Sequence, residues 1–139
     1  MKIELQRLDD NFLFESSNDE GLTVLADGSP AIGGQGKGMR PMQLLLAAVA
    51  SCSSIDIVLL LRKQRQDLKD IKVSVEGDRR EEEPRIFTHL RVHYRLFGTV
   101  DAKKAERACR LSMEKLCSVS MMLKAGGVEV DWSYEILAV

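Results

Sequence analysis

The chain has 139 residues, 45% of them hydrophobic and 29% charged, with a formal net charge of −1. These proportions fit one soluble domain over 1–139 with a single core, and they exclude a disordered or fibrous chain. The near-balanced charge excludes a phosphate-binding surface, so nucleic acid is not an expected partner; neutral or apolar molecules and a second copy of the chain are.

Charges within Met1-Lys2-Ile3-Glu4-Leu5-Gln6-Arg7 occupy the place where a secretion signal needs its apolar stretch, so a cytoplasmic location is expected. From there to residue 26 the pattern predicts three short strands. They centre on Ile3 to Arg7, Phe12 to Phe14 and Leu22 to Leu25, with breaks at Asp9-Asp10-Asn11 and Asn18 to Gly21. The segment from Asp27 to Arg40 holds five glycines and is expected to be a mobile loop.

Pro41 suits the first turn of a helix, predicted to run to about Arg65, with Arg62, Lys63 and Arg65 at the negative end of its dipole. Between Leu44 and Leu61 only Ser51, Ser53, Ser54 and Asp56 are plainly polar. A run of 18 residues could span a bilayer. The aspartate and serines at its centre are costly in lipid, so a central buried core helix is expected, with no membrane partner. Such a helix needs cover on every side, and a homodimer is the simplest source.

Ile71, Val73 and Val75 alternate with polar residues and start a strand. After a turn near Arg79 to Pro84, a second long strand over 85–97 puts Ile86, Thr88, Leu90, Val92, Tyr94 and Leu96 on one face. His89, Arg91, His93 and Arg95 fall on the other. Strand spacing sets His89 and His93 about 13 Å apart, so they read as part of a solvated basic face and not as a metal pair. Asp101 caps a helix to about Lys115 that packs through Ala105, Ala108, Cys109 and Ser112. A short helix over 116–124, closed by Gly126-Gly127, and a last strand over 128–136 complete the chain. The order predicts an α+β fold with antiparallel sheets.

Several chemistries are excluded by motif. Lys37 is followed by Gly38 and Met39, where a P-loop needs Ser or Thr for Mg²⁺, and the dinucleotide glycine spacing is absent. There is no GxSxG elbow for a serine hydrolase. Without a CxxC, or a histidine near Cys109 and Cys117, no zinc ligand set forms.

Three cysteines do not make a disulfide framework, which leaves buried, catalytic or redox-sensing roles. Cys52 lies too far into its helix for the dipole to activate it, and Asp56 one turn on would raise its pKa, so activation has to come from elsewhere in the fold. Cys117, at the head of the short helix, is near backbone N–H groups that stabilise a thiolate. Local reasoning leaves Cys52 open between burial and function and places Cys109 in the core.

The stretch Arg40-Pro41-Met42-Gln43-Leu44-Leu45-Leu46-Ala47-Ala48-Val49-Ala50-Ser51-Cys52 resembles the P-x-E-L-L-L-A-A-x-x-x-C helix of the OsmC/Ohr family, and Leu116-Cys117-Ser118-Val119-Ser120 resembles its second cysteine motif. The resemblance spans nearly the whole chain. It implies an intertwined homodimer with sites at the subunit interface, and thiol-dependent reduction of organic hydroperoxides. Cys52 would be the peroxidatic thiol, oxidised to a sulfenic acid, and Cys117 the resolving thiol that closes a disulfide. No cofactor is expected to be bound; an external dithiol, in some members a lipoyl protein, restores both thiols. Gln43 stands where better-studied members have a glutamate that pairs with an arginine, and Ser118 where many have proline. Lys37 and Arg40 are the nearest candidates for the missing cation, with Gln43 as possible support. Gln43 lies about 13 Å along the helix from Cys52, so those two could cooperate only across a dimer. The rival expectation is a protein of the same fold that binds a small apolar ligand or senses redox state without turnover.

Overall fold

In a computed structural model that describes all 139 residues, Met1–Val139, the chain divides into two compact units, 1–45 and 46–139. In the first, asparagine and aspartate side chains close the expected turns. Asp9 Oδ1 accepts from the amides of Asn11 and Leu13, and Asn18 Oδ1 from those of Glu20 and Leu22. These turns join β1 (Glu4–Arg7), β2 (Phe14–Ser17) and β3 (Thr23–Ala26) into an antiparallel meander.

The glycine-rich segment after β3, expected to be a mobile loop, carries a short 3-10 turn at Pro30–Ile32 and is gathered around one aspartate. Asp27, 2% exposed, accepts from the amides of Gly28, Gln35 and Lys37 at 2.8, 3.1 and 3.3 Å. The glycines serve close approach: a Cβ at Gly34 would stand 1.7 Å from the Gly28 carbonyl oxygen. Burial pushes the Asp27 carboxyl up, but those three amides and the Lys37 charge outweigh it and hold it below its ordinary value.

Helix α1 (Pro41–Lys63) begins with Gln43 reaching back so that its Oε1 accepts from the Arg40 amide at 3.0 Å, half of a capping box. It ends two residues before the expected Arg65, which adopts φ 56. The Gln66 amide returns to the Leu61 carbonyl and the Arg65 amide to that of Arg62, a Schellman closure. Within one chain α1 buries a single stripe, Val49, Ser53, Ile57 and Leu61, one residue per turn. The expectation of cover on every side is therefore met on one face only: Leu45, Ile55 and Leu59 are exposed. By length and composition alone α1 could cross a membrane. Two of its central polar residues, Ser53 and Asp56, are engaged by Tyr94 and Ser112 of neighbouring elements.

The second unit is built on β4 (Asp67–Arg79), β5 (Phe87–Thr99) and β6 (Glu129–Leu137), in that spatial order. Three strand pairings in the chain are antiparallel as expected, but β6 runs parallel to β5. The chain leaves β5 through α2 (Ala102–Leu111) and α3 (Ser118–Ala125), and a crossover of that length returns it in the same direction. A register shift at Asp78/Arg79 also changes the face of β5: Phe87 is buried and Thr88 exposed, so the inward row is Phe87, Leu90, Val92, Tyr94 and Leu96. Ile86 and Thr88 drop out of the expected core row for that reason. Asp101 caps α2 through the Lys104 amide, and Ala105, Ala108, Cys109 and Ser112 are fully buried as expected. The helix does not continue regularly to Lys115; residues Ser112–Leu116 form a π-helical turn.

Candidate functional site

Helix α1 and the start of α3 bring together the two cysteines of the motifs. The Ser112–Leu116 turn ends at Cys117, whose amide bonds the Ser112 carbonyl at 2.7 Å and whose side chain caps α3, accepting from the Ser120 amide at 3.4 Å. That turn is clasped from below by Lys124 Nζ and Ser120 Oγ, which both donate to the Met113 carbonyl, at 2.7 and 3.3 Å. On α1, Cys52 is half-buried, its Sγ 3.8 Å from Ser118 Oγ. The Cys52 and Cys117 side chains lie near enough to shift each other's acidity, and both are free thiols.

The electrostatics of the pair are unequal. Burial pushes the Cys52 thiol up, but the Val119 amide, the Cys117 thiol, and the Ser118 hydroxyl and amide outweigh it and hold Cys52 below the ordinary thiol value. Cys117 is 1% exposed; burial pushes it up, the Ser120 amide opposes this, and the neighbouring Cys52 sulfur adds to the rise. Of the two thiols, Cys52 is therefore the more acidic and Cys117 the one that holds its proton more tightly. Of the first three backbone N–H groups at the head of the short helix, those of Ser118 and Val119 lower the pKa of Cys52 on the other helix, and that of Ser120 serves Cys117. Sequence reasoning assigned them to Cys117 because that residue adjoins them; Ser118 and Val119 were missed, and the only local signal for them was the helix start itself.

Asp56 is directed elsewhere: its Oδ2 accepts from Ser112 Oγ at 3.2 Å, and Ser112 Oγ also faces the Ser53 carbonyl at 3.0 Å. Cys109 is buried, and burial, with Glu106 nearby, pushes it up to about 12. Lys37, Arg40 and Gln43 all lie in the 1–45 unit. There the Lys37 and Arg40 amides are tied to Asp27 and Gln43, and the Gln43 oxygen is committed to capping α1.

The second face of the sheet is not a plain solvated basic surface. Arg91 makes a two-point ion pair with Asp78 at 2.8 and 3.0 Å, and His89 Nε2 meets Asp131 Oδ2 at 2.6 Å. His93 contacts Ser133 Oγ at 2.7 Å and Glu135 Oε1 at 3.3 Å. His89, Glu129 and Asp131 come close enough to share a metal ion. A histidine ligating through Nε2 needs an acceptor for its Nδ1–H, however, and here Nδ1 faces the Arg91 guanidinium at 3.3 Å. The donor set does not fit a metal.

Two sheets, a long helix and two free thiols brought together from α1 and the head of α3 describe an α+β protein with a dithiol site. The chain belongs to the OsmC-like protein family, whose profile matches residues 34–133. It is 43% identical over 129 residues to protein YhfA of Escherichia coli K12, a match covering 91% of this chain and 90% of that one. A hypothetical protein from Aquifex aeolicus VF5 has the same fold with TM-score 0.85 and 36% identity, over 99% of this chain and 96% of the other. An organic hydroperoxide resistance protein OsmC from Legionella pneumophila shares the fold at TM-score 0.71 and 20% identity, over 97% of each chain.

Proposed function

We propose that the protein reduces organic hydroperoxides through Cys52 and Cys117. The observation that carries this reading is the meeting of two free thiols at the head of α3, with Cys117 as its cap and Cys52 Sγ 3.8 Å from the adjoining Ser118 Oγ; their unequal acidity supports it. The Cys52 thiolate attacks the terminal oxygen of ROOH and the O–O bond breaks; sulfur gains the oxygen as Cys52–SOH and the alkoxide takes a proton to leave as ROH. The Cys117 sulfur then attacks Cys52–SOH, forming a disulfide and releasing water. An external dithiol, such as a lipoyl group on another protein, returns both cysteines to thiols by exchange and leaves oxidised. The protein holds no cofactor in this scheme and works in the reducing cytoplasm.

A homodimer is part of the reading. Leu45, Ile55 and Leu59 on α1, and Ile3, Leu5, Leu22 and Val24 in the first unit, are exposed apolar residues that a second copy would cover. Lys37 or Arg40 of a partner chain would then be free to support Cys52 with the positive charge that its own 117–119 segment does not carry.

Repeated peroxide consumption by the reduced protein with dihydrolipoamide tests the reading. Cys52→Ser should abolish turnover, and Cys117→Ser should stall it at the sulfenic acid. Oxidation that occurs once and never cycles would instead establish the thiol sensor, and no oxidation at all would remove both.

A further inference from the structure

Ser118, the first residue of α3, faces the Cys52 sulfur. Its Oγ lies 3.8 Å from Sγ, within hydrogen-bond reach, and its amide lowers the pKa of the same thiol. The Val119 amide joins them, whereas the Ser120 amide turns to Cys117 at 3.4 Å. Of two neighbouring thiols, the one whose sulfur collects more donors loses its proton first.

We propose that Ser118 is a further catalytic residue, whose hydroxyl decides which of the two thiols is the nucleophile by donating to the Cys52 sulfur. This deepens the peroxidase reading and rests on its assignment of Cys52 as the attacking thiol. The hydroxyl is the one contributor in the 118–119 segment that side-chain substitution can remove while both amides stay in place. It acts on the sulfur directly and requires no charged group.

The test is site-resolved alkylation with iodoacetamide from pH 5 to 10, quantified by peptide mass spectrometry on the full-length protein. Threonine and valine have the same shape, so S118T and S118V differ only in the hydroxyl. Wild type and S118T should alkylate Cys52 ahead of Cys117. In S118V and S118A, Cys52 should react about three- to tenfold more slowly at pH 7, the size of one ordinary net hydrogen bond, and its pH midpoint should rise. Equal Cys52 rates and midpoints in S118T and S118V overturn the proposal, and this pair decides the matter even if S118A fails to fold. Alkylation needs no peroxide. Normal turnover with no hydroxyl effect sinks the Ser118 role alone; a clear hydroxyl effect without turnover sinks the peroxidase reading alone.

Discussion

The Tyr94 hydroxyl donates to Ser53 Oγ at 2.6 Å, fixing α1 against the central strand β5 at the residue next to Cys52. Ser53 Oγ donates onward to the Val49 carbonyl at 2.8 Å, and Met113 Sδ lies 3.0 Å from the same phenol. Buried groups satisfied in this way set the rotation of α1 about its axis, and with it the side on which Cys52 emerges. Burial, first among its causes, pushes the Tyr94 phenol up, so it stays a donor throughout the neutral range.

Tyr94→Phe removes this bond and should cost about 1 kcal/mol in urea unfolding. Because Ser53 keeps its bond to the Val49 carbonyl, no unpaired donor is left behind and the loss should not exceed about 2 kcal/mol.

The three cysteines should separate by reactivity. In native protein at pH 8, a thiol reagent should modify Cys52 first and Cys117 second. Cys109, fully buried and pushed up to about 12, should react only after unfolding. Peptide mapping of a timed alkylation checks the order, and early labelling of Cys109 would contradict it.

Acid should loosen the first unit through Asp27. A carboxyl whose folded pKa is depressed contributes stability in full above its unfolded value, and loses it as pH falls through the folded one. With an ordinary value of 3.8, the loss falls below about pH 4. Asp27→Asn should lower Tm at pH 7 and flatten its fall between about pH 4 and pH 2 relative to wild type.

Gln43→Glu should keep the cap on the Arg40 amide and place a negative charge at the positive end of α1, raising stability by about 0.3–1 kcal/mol. Gln43→Ala should lower it by a similar amount. If Gln43 also limits peroxide turnover through its lost charge, the glutamate variant gains activity as well as stability; a gain in stability alone leaves Gln43 a helix cap.

Ile55→Glu or Leu59→Glu, on exposed positions of α1, should convert a dimer into monomers by sedimentation. A wild-type protein that sediments as a monomer would remove the dimer from the account.

What the sequence revealed followed from local pattern. Pro41, Asp101 and Gly126-Gly127 mark helix ends within a few residues, and Ala105, Ala108 and Cys109 of α2, with Ser112 just beyond it, are buried as spacing predicts. The direction of β6 was not legible, because a period of two is the same in parallel and antiparallel pairs. The shift that buries Phe87 in place of Thr88 depends on a bulge set by the partner strand. Asp27 offered a missed signal: an aspartate opening a glycine-rich segment can collect the amides that the glycines bring near. The groups that lower Cys52 come from residues 65 to 67 positions away, which no local pattern records.

The most direct measurement is to treat fully reduced protein with one equivalent of a bulky organic hydroperoxide, and separately with hydrogen peroxide, and to map the products by peptide mass spectrometry. The account predicts a rapid Cys52–Cys117 disulfide, faster with the organic oxidant, with Cys109 unmodified. Slow oxidation scattered over cysteines and methionines, without that disulfide, would contradict it.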